Sequence, residues 1–153
     1  MAGLSVGRVI MNLYDLHPNP KEAPGYEKRF MVPEIAYKEA LKRAWGKVGQ
    51  ERRSPDLEPA IAKDPMRAVL YARDVIREPF PEAEPVIAKS AFMSRLYAEY
   101  VLRGRFPLGE PTIASHFGEA NRYESKFDLH RDHDWVALRQ EKRTWPREWD
   151  LPE

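Results

Sequence analysis

A chain of 153 residues with 42% hydrophobic side chains is long enough for one domain with a buried core. Its 25 Lys and Arg against 24 Asp and Glu leave a net charge of +1, without the cationic excess of a dedicated polyanion binder. The absence of cysteine excludes disulfides, thiolate metal sites and a cysteine nucleophile, and fits cytosolic residence. No run approaches the roughly 20 apolar residues of a membrane span.

The stretch 4–16, LSVGRVIMNLYDL, suits a strand or a short helix, because so short an apolar run has no decisive period. Arg8, Asn12 and Asp15 interrupt it and no small-residue cleavage site follows, so it does not read as a signal peptide. Pro18, Pro20 and Pro24 hold 17–25 extended. Residues 1–31 are therefore expected to form an N-terminal arm.

From residue 32 to 135 the chain repeats itself. EPAIAKD at 58–64, EPVIAKS at 84–90 and EPTIASH at 110–116 start 26 residues apart, and LYARDVI at 70–76 is answered by LYAEYVL at 96–102. Carried back one period, the pattern predicts four units, 32–57, 58–83, 84–109 and 110–135. Four columns run through them: Pro33, Pro59, Pro85, Pro111; Ile35, Ile61, Ile87, Ile113; Ala36, Ala62, Ala88, Ala114; and Trp45, Tyr71, Tyr97, Tyr123. A period of this length signals stacked units, none of which buries its apolar face alone.

In the first unit a helix from Pro33 towards Trp45 is stopped by Gly46 or Gly49, and a polar, exposed turn follows over 50–55. In the second, Asp64 caps a helix that has Pro65 at its first position. Ala68, Tyr71, Ala72, Val75 and Ile76 draw its apolar stripe, Pro79 and Pro81 end it, and Glu84 with Pro85 caps and starts a short helix. The third unit repeats the scheme with Ser90 as cap, Ser94, Tyr97, Ala98, Val101 and Leu102 on the stripe, and Gly104 as terminator. In the fourth, Glu124 and Asp128 fall where apolar residues stood, as in a capping repeat. Asp132 then caps a helix through His133, Trp135, Ala137, Leu138 and Lys142, and residues 136–153 complete it and add a Trp-rich tail. The expected fold is mainly all-α: one domain, built as a short α-α repeat stack of about four 26-residue units between arm and tail.

The run YARDVIREPFPEAEPVIAKS at 71–90, with GRFPLGEPTIA at 104–114, resembles a short tandem helical repeat of bacteriophage and prophage proteins, most of them uncharacterised. The resemblance implies a phage origin, a helical repeat fold and residence in the bacterial host cytoplasm, and it brings no catalytic residue. Its basic residue followed by glycine is present at Arg103-Gly104 and replaced at Arg77-Glu78.

Motifs that carry chemistry are few: there is no Gly-rich phosphate loop, no HExxH and no GxSxG. His130 and His133, with Asp132 and Asp134 beside them, have the spacing to share a metal and so to serve a metal-dependent hydrolase. Aspartates at a helix start are equally explained by the helix dipole. A nucleic-acid track would use Arg52, Arg53, Arg77, Arg103 and Arg105. The cations do not recur, however: Arg73 is answered by Glu99, Arg67 by Met93 and Arg95 by Asn121. The aromatic column reads as core.

What remains is a protein-binding surface. Phe92, Met93 and Tyr100 replace Met66, Arg67 and Asp74 of the preceding unit, Arg103 follows them, and the tail supplies Trp145, Arg147 and Trp149, residue types that dominate binding hot spots. The leading expectation is a non-enzymatic adaptor or inhibitor acting on a host or phage protein, with no cofactor and no membrane association. Association with nucleic acid comes second and the hydrolase third.

Overall fold

The computed structural model describes residues 32–143. The segment 4–16 and the tail residues Trp145, Arg147 and Trp149 lie outside the described residues. The chain divides into two compact units, Met1–Val32 and Pro33–Glu153.

Every described element is helical, and the described residues contain no strand. In order they are α1 (Pro33–Arg43), a 3-10 turn (Gly49–Arg52), α2 (Glu58–Ile61) and α3 (Pro65–Leu70), which runs on into a π-helical turn (Tyr71–Ile76). A second 3-10 turn (Pro81–Ala83), α4 (Glu84–Ile87) and α5 (Ala91–Tyr97) follow, and α5 also runs on into a π-helical turn (Ala98–Leu102). The last three are α6 (Glu110–Ala114), α7 (Phe117–Phe127) and α8 (His133–Lys142). The all-α expectation holds.

The starts of the helices follow from their caps. Asp64 accepts the Arg67 N–H at 2.9 Å, Ser90 that of Met93 at 3.3 Å and Asp132 that of Trp135 at 2.8 Å, each satisfying an otherwise orphaned donor. Glu84 does not cap α4: it is the helix's first residue, after Ala83. α3 packs on α4 and α5 of the next unit, α5 on α6 and α7, and α8 on α6. Ile61, Ile87 and Ile113 and the rings of Tyr71, Tyr97 and Tyr123 are fully buried in these contacts.

The columns do not reach the first unit. Ile35 is 56% exposed and Trp45 89%, whereas α1 docks on α2 and α3 through the buried stripe Ala36, Ala40 and Ala44. Residues four apart share a helix face, and methyl side chains admit a close approach of backbones. The residue types at 35 and 45 match the repeat, but this stripe turns them outward. Gly46 and Gly49 have positive φ, which ends α1 where expected. The turn over 50–55 is less exposed than its polarity suggests, since Ser54 is buried and Arg52 reaches the carbonyls of Lys47, Asp74 and Val75.

The ends of the long helices also differ from expectation. The left-handed residue is Arg77 after the first π turn and Arg103 after the second, with φ of 57° and 52°. Gly104, the expected terminator, does not adopt positive φ; its N–H returns to the Ala98 carbonyl at 3.1 Å. α7 has no π turn and its left-handed residue is Asp128, so the fourth unit is one residue short. That missing residue displaces Asp128 from the column that Ile76 and Leu102 occupy.

Candidate functional site

Most of the polar chemistry is internal. Each buried tyrosine hydroxyl accepts a backbone N–H and donates to a glutamate: Tyr71 between Ser54 (2.9 Å) and Glu58 (2.8 Å), Tyr97 between Phe80 (2.8 Å) and Glu84 (2.8 Å), Tyr123 between Phe106 (2.8 Å) and Glu110 (2.8 Å). Burial pushes all three hydroxyls well above the ordinary phenol range, and the neighbouring carboxylates add to this against the backbone N–H bonds. Arg53 closes on Glu58 at 2.9 and 3.2 Å, and Arg105 on Glu110 at 2.6 and 2.9 Å and on Asp132 at 2.9 Å. The equivalent position in the middle unit is Pro79, so Glu84 has no such arginine.

Three arginines of the expected nucleic-acid track are thereby consumed: Arg52 at the end of the first π turn, Arg53 and Arg105 on their glutamates. The histidine cluster is also dispersed. His130 Nδ1 lies 2.7 Å from Glu124, Asp132 is divided between the Trp135 N–H and Arg105, and His133 and Asp134 face outward. The Trp135 N–H and then the Arg105 charge hold the Asp132 carboxyl below its usual range. Among the described residues no group of three or more His, Cys, Asp or Glu side chains is placed to hold a metal.

What is left is a cleft of about 590 Å³ between the two π turns, lined by Ala72, Arg73, Arg77, Tyr100, Val101 and Arg103. Arg73 is paired with Asp74 at 2.7 Å. Arg77 and Arg103 are exposed and stand at equivalent positions of consecutive units, and their guanidiniums have neither a hydrogen bond nor an ion pair to any described residue. Tyr100, 54% exposed, supplies the aromatic wall. Both arginines hold a left-handed backbone that suits glycine, at a cost on the order of 1–3 kcal/mol each. Strain of this kind and π turns both concentrate at functional sites.

Of the residues expected to bind a partner, the cleft brings together Tyr100 and Arg103. Met93 is buried, 8% exposed, and leaves the surface patch. Phe92 is exposed at the opposite end of its helix, where the Arg95 guanidinium lies 5.5 Å from its ring centroid. Ala72, Arg73 and Val101 escaped sequence reasoning because the apolar stripe assigns the first and last to the core. Arg77 was legible only as part of a cationic track, although its place just before Pro79 is a signal for a helix end.

No protein-family model, no curated protein and no solved structure matches this chain. Among the described residues no helix is long and apolar enough to cross a membrane.

Proposed function

We propose that this protein is a non-enzymatic interaction module, an adaptor or inhibitor, which engages a protein partner through the cleft between its two π turns. The observation that carries the reading is the pair Arg77 and Arg103: without a side-chain partner among the described residues, strained, repeated one unit apart and flanking an exposed tyrosine. Arg and Tyr are the residue types that dominate hot spots, and two guanidiniums without partners among the described residues are available to a ligand with no ion pair to those residues broken. The resemblance to phage repeats makes a host or phage protein the expected partner and the host cytoplasm the expected place.

A nucleic-acid role is less well supported, because Arg52, Arg53 and Arg105 are engaged in internal bonds and the position after α7 equivalent to Arg103 is acidic Asp128. A hydrolase centred on His130 and His133 would have to recruit Asp132 from the Arg105 ion pair.

The test is capture by the immobilised full chain from host lysate, followed by titration of the purified candidate into the protein by calorimetry. Saturable binding of one partner per chain is expected. Failure of every captured protein to bind in the purified pair, or oligonucleotide binding with a steep salt dependence in its place, overturns the reading.

A further inference from the structure

We infer that the cleft recognises an acidic peptide segment, in which an oxyanion is clasped by Arg77 and Arg103 while an adjacent aromatic or apolar side chain lies against the Tyr100 ring. This rests on the interaction reading above and adds the chemistry of the ligand.

The argument starts from charge. Arg73 is neutralised by Asp74, so among the described residues the cleft offers two uncompensated positive groups, both guanidiniums. A guanidinium presents a planar fork of donors that matches a carboxylate or phosphate two bonds at a time. Two forks from consecutive units suit one dianion or two neighbouring monoanions. A long polyanion needs the row to continue, and it does not: the next left-handed residue is Asp128, which repels a third phosphate.

Position adds to this. The π turns that continue α3 and α5 both end at the cleft, and helix C-termini carry partial negative charge on their free carbonyls. At the first end, Arg52 covers the carbonyls of Asp74 and Val75. The equivalent residue at the second end is Glu78, which has no donor to offer and is held by Gln50 at 3.1 Å. An anion is therefore held away from the helix axes by the long arginine side chains, which places its neighbours over the half-exposed Tyr100 and Val101. The aromatic wall gives the pocket a preference that two cations alone lack, because ring stacking rewards a flat apolar group next to the charge.

The backbone gives an independent reason to see selection for ligand binding. Glycine at residues 77 and 103 would relieve the left-handed strain, yet arginine stands at both. A residue that costs stability at two equivalent places, and whose side chain has no hydrogen bond or ion pair to the described residues, is explained by what it binds outside.

The experiment titrates the full chain into four labelled peptides of equal length and reads fluorescence anisotropy at physiological salt. The first holds Trp among glutamates, the second has phosphoserine in place of one glutamate, the third replaces Trp by Ala, and the fourth replaces the glutamates by Lys; oligo(dT) is the fifth probe. Saturable binding of the first two, weaker binding of the third and none of the fourth is expected. Arg77→Gly and Arg103→Gly should each weaken the first two by about tenfold or more, while thermal melts show both variants at least as stable as the parent. Tyr100→Ala should bring the Trp peptide down to the level of the Ala peptide. Tighter binding of the phosphoserine peptide assigns the oxyanion to a phosphorylated side chain, and equal binding assigns it to carboxylates; either supports the inference. Unchanged peptide binding in both glycine variants, or tighter capture of oligo(dT), overturns it. If the peptides fail while a purified partner binds and is lost on Arg77→Gly with Arg103→Gly, the ligand chemistry is wrong and the interaction reading stands. If no partner binds either, both fall.

Discussion

Phe80 and Phe106 each serve two units at once. The Phe80 ring packs on Tyr71 of its own unit with centroids 5.2 Å apart, while its N–H donates to Tyr97 of the following one; Phe106 does the same between Tyr97 of its own unit, at 5.1 Å, and Tyr123 of the next. The first member of this column is Ser54, which has no preceding tyrosine to cover and keeps only the N–H bond. Tyr97→Phe would leave a buried N–H and the Glu84 carboxylate without their partner, at a cost of about 1–3 kcal/mol in denaturant melts at neutral pH. The raised hydroxyl pKa values fix the alkaline behaviour. Each folded value lies above the unfolded one, so the stabilisation is complete below the unfolded phenol pKa near 10 and is lost as pH rises through the folded values. The melting temperature should be level from neutral pH to about pH 10 and fall beyond it, and Tyr97→Phe should make that fall shallower by removing one of the phenol protons involved. A profile equally steep in the variant would deny the hydroxyl its place in the linkage. The burial of Tyr71, Tyr97 and Tyr123 was legible from their period, but their bonds were not. The recurrence of a glutamate 13 residues before each tyrosine is visible in the sequence, and only the fold tells that the two meet.

At the scale of the element, small residues decide how closely successive units approach. A Cβ on Gly109 would lie 2.5 Å from the Phe106 ring and 2.7 Å from the Ser94 Cβ, far inside contact distance. In the preceding unit the equivalent pair is Ala83 and Ala68, both buried, so the extra methyl there faces no hydroxyl. Gly109→Ala should therefore cost about 1–3 kcal/mol by overpacking, and adding Ser94→Ala should recover part of it, since that swap recreates the preceding pair. The Ile87 carbonyl that Ser94 releases keeps its bond from the Ser90 N–H. Additive losses in the double variant would show that backbone spacing, not the side-chain pair, sets the approach. The same scale explains the misread helix ends. Glycine chemistry pointed to Gly104, whereas the left-handed residue is Arg103: the π turn lengthens the helix by one residue relative to α7, and its end still falls one position short of Gly104. Propensity has no term for such an insertion, because tertiary packing of the long helices, not local sequence, sustains it. Arg77→Gly, judged by stability alone, should raise it by about 1 kcal/mol, and a loss of comparable size would mean that Arg77 has a structural partner after all.

For the repeat array as a whole, the ends are the problem, since each unit leaves an apolar face for the next to cover. α1 closes one end with its alanine stripe, a solution that periodicity concealed by matching Trp45 to the tyrosine column. α8 closes the other. Its fully buried Trp135 meets the Tyr123 ring at 5.1 Å, in the place that Phe80 and Phe106 take against the earlier tyrosines. Glu124, which the columns marked as decay, is the anchor of this closure: it accepts the Trp135 indole N–H at 2.9 Å and pairs with Arg139 and His130. Burial pushes its carboxyl upward, yet the Trp135 bond and then the Arg139 guanidinium outweigh this and hold it below the usual range. With a folded pKa below the unfolded one, this contribution is present above about pH 4.3 and disappears as pH falls through the folded value. Trp135→Ala should then remove about 3–5 kcal/mol, the large-to-small cost of a buried aromatic, and the loss should be uneven along the array. In a stack held by nearest-neighbour contacts, an uncapped end frays before the rest. Hydrogen exchange should accelerate first at the amides of α6 and α7, while those around Tyr71 and Tyr97 keep most of their protection. Uniform acceleration through the units of Tyr71, Tyr97 and Tyr123 would mean that they unfold as one block and that the closure by α8 stabilises the array only globally.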